Sequence, residues 1–388
     1  MHIHSIKIEN FRNISCILDT FSCTFNAFHG NNASGKTSIL EAIYYLSSGK
    51  SLRGASGESL IKHNQSHFTL FSEISDHQSL TPIGISRSQE GNTAIRLHGD
   101  TVRSISAVSQ LLPMVFLGPD CHRMLTDGPK IRRQFLDWVL FYTCPQFYPQ
   151  WRQYQKLLTQ RNVALKDNVS RETLSAWSTE LAETGETIDR MRREYLQHFI
   201  PIFQKYLDML MPGIHIGADY QRGWTTSITL LNCLTENTFK EKQVGYTLHG
   251  PHRADLALTV DNLSITEILS QGQQKLIAYS LKLAQGEDLA TICEKNPIYL
   301  IDDMPSELDT QKQALVAQAL REMGSQVFIT GIHKHELEKL VDNVEGSKMF
   351  HVKHGDVAET ERSNAAAGMV SSAPGRVNAE QCHYEDGQ

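Results

Sequence analysis

Gly30-Asn31-Asn32-Ala33-Ser34-Gly35-Lys36-Thr37 is a complete G-x-x-x-x-G-K-[ST] motif, and its reading decides the fold. The glycines let backbone N–H groups turn inward on an anion, and a following helix offers the positive end of its dipole to the same charge. Lys36 then neutralises the β- and γ-phosphates of a nucleotide, while the Thr37 hydroxyl sits on Mg²⁺. The candidate cradle runs from Gly30 to Ser38. Its flanks agree. Thr24-Phe25-Asn26-Ala27-Phe28 before it is short and β-prone, and Ile39, Leu40, Ile43 and Leu46 after it recur at helical spacing.

Working outward, the 388 residues suffice for at least one large core and two structural units. Hydrophobic residues make up 40% and charged residues 21%, ordinary for a globular protein. No run of about 18 apolar residues occurs, and the alternating N-terminus lacks a signal peptide's apolar block, so a cytoplasmic location is expected. Seven cysteines stand apart with no C-x-x-C pair, which argues against zinc frameworks and disulfide scaffolds. The formal net charge is −6, yet residues 121–171 hold nine basic residues against three acidic ones. That stretch is either a polyanion-binding face or a solvated helical surface.

Residues 1 to about 30 read as strands around the turn Asn10-Phe11-Arg12-Asn13, and three alternating runs (67–73, 82–88, 93–98) read as an antiparallel meander. From Pro129 apolar residues fall three or four apart, as in Phe135, Val139 and Tyr142, then Ile188, Met191, Tyr195 and Phe199. The expected organisation is therefore an N-terminal part of an α/β head over 1–128, a helical lobe over 129–245, and the rest of the head over 246–355. Strands are expected at 256–260, 298–301 and 326–330, with a last one from Lys348 to Val352. The Ala-, Ser- and Asn-rich stretch 356–388 reads as a disordered tail.

Ile298-Tyr299-Leu300-Ile301-Asp302-Asp303 is a buried strand ending in two acids. In a parallel sheet ligands collect at the carboxyl ends of strands, so Asp302 lands beside the phosphate loop, able to hold Mg²⁺. Asp303 is then placed to orient or deprotonate an attacking water, making Asp303 and Lys36 the catalytic candidates. Upstream, Leu269-Ser270-Gln271-Gly272-Gln273 precedes a helix with Leu276, Ile277, Leu281 and Ala284 on one face, and Ser306-Glu307-Leu308-Asp309 follows the acids.

Phosphate loop, distant Leu-Ser-x-Gly-Gln, then the acidic strand is the layout of ABC-type ATPase heads. In that class Ser270, Gly272 and Gln273 would face the nucleotide of a partner copy, so that ATP joins two heads. Further segments resemble the RecF family of bacterial recombination mediators: Ile8-Glu9-Asn10-Phe11-Arg12-Asn13, Gly128-Pro129 with Arg132-Arg133-Gln134-Phe135-Leu136-Asp137, Gln160-Arg161-Asn162, and His249-Gly250-Pro251-His252-Arg253. The resemblance covers residues 1 to 355. It implies an ABC-type P-loop head with an antiparallel β subdomain and an inserted helical lobe. It also implies a slow, DNA-stimulated ATPase that dimerises on ATP, binds DNA at single-strand gaps, and with RecO and RecR helps load RecA in repair, fork recovery and the SOS response. Mg-ATP would lie on Lys36, Thr37 and Asp302, with Arg12 and Arg53 as further nucleotide contacts; Arg53 reads equally as a surface charge.

The chain departs from the pattern in three places. Ala254 replaces one of two acids expected after Pro-His-Arg, leaving Asp255. Leu112 to Leu117 offers no magnesium-binding glutamine. Gly331 stands where transporters carry a switch histidine, and His333, two residues on, is expected at the surface. Among alternatives, a transporter subunit needs a membrane partner. A structural SMC-like ATPase needs long arms, whereas only about 115 residues separate Pro129 from Gly245. A non-hydrolysing ATP-bound DNA clamp would make Asp303 incidental.

Overall fold

The structure, a computed structural model, describes residues 1–76, 79–342 and 344–360. At its centre a six-stranded sheet runs in the order Asp356–Glu359, Lys348–Lys353, Phe25–His29, Val327–Gly331, Ile298–Ile301, Met114–Leu117. Every pairing is parallel except the terminal hairpin. Successive side chains on a strand point to opposite faces, and here both faces are covered. Phe28, Phe328, Phe350, Leu300 and Met114 join one core with the phosphate-loop helix Lys36–Ser48 and the inner face of a second sheet. Ala27, Ile329, Ile301, Leu117 and Met349 join another with the helical lobe. Such strands read as continuous apolar runs, which is why Ile298–Ile301 is buried throughout.

The second sheet is wholly antiparallel, ordered Ile14–Thr20, His2–Phe11, His67–Ser75, Leu80–Ser88, Thr93–Leu97, Asp100–Val102. It contains the expected meander. One face is buried through Ile6, Ile8, Leu70, Ile83 and Ile85, giving the inside–outside alternation of a half-solvated sheet.

The lobe is built from helices Pro129–Thr143, Phe147–Lys166 and the 40-residue Arg171–Leu210, with two short helices, Leu230–Glu236 and Thr238–Val244. Phe135, Val139, Ile188, Met191, Tyr195 and Phe199 are buried at their helical spacing. The stretch 129–245 is not purely helical. Gly217–Gln221 pairs antiparallel with Asp255–Val260, so a strand of the lobe is stitched to one that follows it.

The expected tail at 356 needs correction. Asp356–Glu359 forms a hairpin with Lys348–Lys353, turning through His354 (φ 52°) and Gly355 (φ 90°). Val357 packs against the core of the antiparallel sheet and supplies the anchor that composition alone did not suggest. Residues 361–388 of that expectation lie outside the described residues.

Candidate nucleotide site

The helix Lys36–Ser48 starts at Gly35 (φ 118°) with no side-chain cap, so the N–H groups of its first turn are free to meet a ligand. A Cβ on Gly30 would approach the Val352 carbonyl oxygen to 2.3 Å, so glycine there lets the loop pass against the neighbouring strand. Lys36 is buried, and its Nζ donates to the carbonyls of Gly30 (2.6 Å) and Asn31 (2.9 Å). Burial lowers its pKa, while Asp303 and Asp302 act in the opposite direction.

Asp302 ends its strand beside this loop, as expected. The Thr37 hydroxyl lies 2.9 and 3.0 Å from the two Asp302 carboxylate oxygens, and Thr330 Oγ1 lies 2.7 Å from one of them. Burial pushes Asp302 up; hydrogen bonds from Thr330 and Thr37 hold it back. Asp303 adopts a left-handed conformation (φ 56°), its N–H donating to Thr330 Oγ1 at 2.9 Å. Asp303 Oδ1 and Ser34 Oγ are buried without a partner among the described residues. Both residues line a cavity of about 840 Å³ with Arg12, Asn32, Ala33, Gly35, Lys36, Thr37, Ser38, Arg53 and Asp302.

This donor set fits Mg²⁺ and a polyphosphate. A hydroxyl and a carboxylate already in register offer hard oxygen ligands, and buried orphan atoms cost stability unless a ligand satisfies them. Both arginines line the cavity, in different settings. The Arg12 guanidinium is held by Glu41 (2.9 and 3.2 Å) and the Ser59 carbonyl, whereas exposed Arg53 stands at the rim.

Two supporting residues escaped the sequence reading. Buried Glu41 accepts from Arg12 and from Ser51 Oγ, whose oxygen in turn accepts from the Arg53 N–H. Burial raises the Glu41 carboxyl, but bonds from Arg12 and Ser51 outweigh it and hold the group below the usual range. Thr330 supports both acids. Its position at the end of the strand beside theirs was the available signal.

Ser270 is the N-cap of the helix Gln271–Cys293, in a capping box with Gln273. Neither residue nor Gly272 lines the cavity of its own chain. Lys275, one turn on, pairs with Glu307 just after the acids, linking this helix to the acidic strand. No glutamine precedes the lobe at Leu112 to Leu117. The exposed Asp120 beyond it borders an adjoining cleft shared with Thr37, Arg53 and Asp302. His333 is exposed, as expected, at the start of Lys334–Val341.

Pairings within the chain take up part of the basic stretch 121–171, while Lys130, Arg152, Lys156, Lys166 and Arg171 stay exposed. Arg161 is fully buried and bonds Glu241 (2.7 Å), Ser178 and Thr247. Arg132 grips both carboxylate oxygens of Asp255 (2.7 and 2.8 Å). Asp137 belongs to Arg192, not to its sequence neighbours Arg132 and Arg133. Partners about a hundred residues away consume charges that looked free.

Residues 2–356 match the family model for the RecF/RecN/SMC N terminal domain. A Coxiella burnetii protein described as "DNA replication and repair protein RecF" is 41% identical over 357 residues, 92% of this chain and 99% of that one. The chain belongs to the RecF family. A Haemophilus influenzae member of the RecF family is 37% identical over 355 residues, again 92% of this chain and 98% of its own. Among solved structures, a recombination mediator RecF with ATP, of the RecFOR pathway, superposes with a TM-score of 0.82 at 27% identity, covering 93% of this chain and 98% of that one. An SMC head bound to a winged-helix domain of ScpA shares the fold at 18% identity and a TM-score of 0.55, covering 95% and 99%. The architecture is thus the ABC-type head of RecF and SMC proteins. Among the described residues no helix is long and apolar enough to cross a membrane.

Proposed function

We propose that this RecF-family protein is an ATP-gated, DNA-binding recombination mediator. The observation that carries the reading is the Thr37–Asp302 contact, set in a cavity where Ser34 and Asp303 hold buried polar atoms without partners. Lys36 and the loop N–H groups bind the phosphates. Thr37 and Asp302 would hold Mg²⁺, which would supply positive charge beside the phosphates. Asp303, its backbone fixed by Thr330, orients or deprotonates the attacking water. Ser270, Gly272 and Gln273 reach the nucleotide of a second copy, so ATP holds a homodimer together. The related RecF structure with ATP supports a nucleotide ligand for this fold.

Hydrolysis is slow and stimulated by DNA, and the dimer engages duplex beside single-strand gaps. There it acts with RecR and RecO in the cytoplasm to help RecA replace single-strand-binding protein. Sedimentation of the full chain with and without Mg-ATP and duplex tests the reading: a dimer formed only with nucleotide supports it. A protein that stays monomeric with saturating Mg-ATP and duplex sinks it. Asp303→Asn separates hydrolysis from clamping, since the proposed enzyme keeps the ATP dimer and loses turnover.

A further inference from the structure

Four guanidiniums converge on the loop 251–255. Arg192 donates to the Pro251 carbonyl (2.8 Å), Arg133 to the Ala254 carbonyl (2.7 Å), Arg132 holds Asp255, and Arg253 belongs to the loop itself. Two carboxylates enter the cluster, and both are already taken. Asp255 carries the two-point grip of Arg132, and Asp137 carries that of Arg192 at 2.8 and 3.0 Å. No ion pair is recorded for Arg133 or Arg253 among the described residues.

Neither cation is hidden. Arg253 is exposed, and its guanidinium lies 5.5 Å over the ring of Tyr246, itself 42% exposed. Arg133 is half-buried and spends one of its five N–H donors on the loop. Burial first, then the Arg192 guanidinium and more weakly that of Arg253, lower its pKa, against the opposing pull of Asp255 and Asp137. Like charges held together by backbone contacts weaken a fold, and the same arrangement awaits an anion whose oxygens match the fork of the guanidinium. The nucleotide cavity cannot be that destination, since none of these residues lines it.

We propose that Arg133 and Arg253, with the Tyr246 ring behind Arg253, contact consecutive phosphates of a DNA backbone. The inference rests on the DNA-binding reading above and names the surface that reading lacked. Contact with phosphate rather than bases fits a mediator that must act at any sequence.

The test is duplex affinity across a salt series, for full-length protein with Mg-ATP. Arg133→Gln/Arg253→Gln should raise the Kd by about tenfold and flatten the log–log salt slope by about 1.8, the loss of two phosphate contacts. Arg253→Gln alone, which removes no hydrogen bond within the chain, should flatten it by about 0.9. Arg253→Lys should restore most of the slope. ATP affinity and the ATP-dependent dimer should stay at wild-type levels in all three. Unchanged affinity and slope in the double variant, while wild type binds duplex, overturns this surface alone. A wild-type protein that binds no duplex at any salt overturns the surface and the DNA-binding reading together.

Discussion

In the nucleotide cavity Ser34 Oγ and Asp303 Oδ1 are buried with no partner, and the Lys36 ammonium rests on two carbonyls. At the lobe junction Arg161, Arg192 and Arg132 each meet a carboxylate, and each directs at least one further donor to a hydroxyl or carbonyl. Both regions concentrate charge away from water. At the junction these three guanidiniums are paired within the chain and tie head to lobe; in the cavity the unpartnered atoms are those that the proposed nucleotide would meet. Between these two regions, saturated guanidiniums mark the join and unpartnered polar atoms mark the proposed ligand site.

The sharpest way to break this comparison is to remove one partner from the junction. Arg161→Met should cost about 3–5 kcal/mol, since it strands the buried Glu241 carboxylate. Urea denaturation checks it, and a loss under about 1 kcal/mol would mean the network is not structural. In the cavity the expectation reverses. Asp303→Asn should lower turnover about 100-fold or more with no loss of melting temperature, because the buried oxygen has no hydrogen bond to lose. A destabilised Asn variant with normal turnover would erase the distinction.

His252 sharpens the contrast through pH. Its Nε2–H donates to the Thr247 carbonyl (3.2 Å), so Nδ1 accepts from the Tyr154 hydroxyl (2.7 Å), and the ring is neutral. Burial lowers its pKa from 6.5 to about 4. The unfolded chain therefore binds the proton first as pH falls, and stability present above pH 6.5 is lost progressively down to about 4. That loss amounts to as much as about 3 kcal/mol, and His252→Gln should flatten it in denaturation curves taken at several pH values. A wild-type curve with the same slope as the variant would exclude the histidine. The smallest effect is expected at the signature helix. Ser270→Ala removes the N-cap acceptor and should cost about 1 kcal/mol in the absence of nucleotide. A larger loss would show that this turn, too, is structural first.

The phosphate loop, the acid pair and the Leu-Ser-x-Gly-Gln were legible because each is a contiguous stretch whose chemistry depends on its own neighbours. The meander and the Ile298–Ile301 strand followed from periodicity and apolar runs. The supports were less visible. Glu41 looked like one more polar residue on a helix, and Thr330 like the end of a strand, since their partners lie on other elements. The basic stretch was only partly legible for the same reason. Asp137 follows Arg133 by four residues, a spacing that suggests a helical pair, yet it faces Arg192 across the lobe.

Residue types and their order along the chain were enough to establish an ABC-type head with a phosphate loop, an acidic strand and a signature helix. Short motifs carry their own backbone geometry, and their chemistry survives in any context that folds them. Which arginines remain available was settled only by tertiary packing. A guanidinium is equally charged in every environment, and only the fold decides whether a distant carboxylate reaches it before solvent or a ligand does.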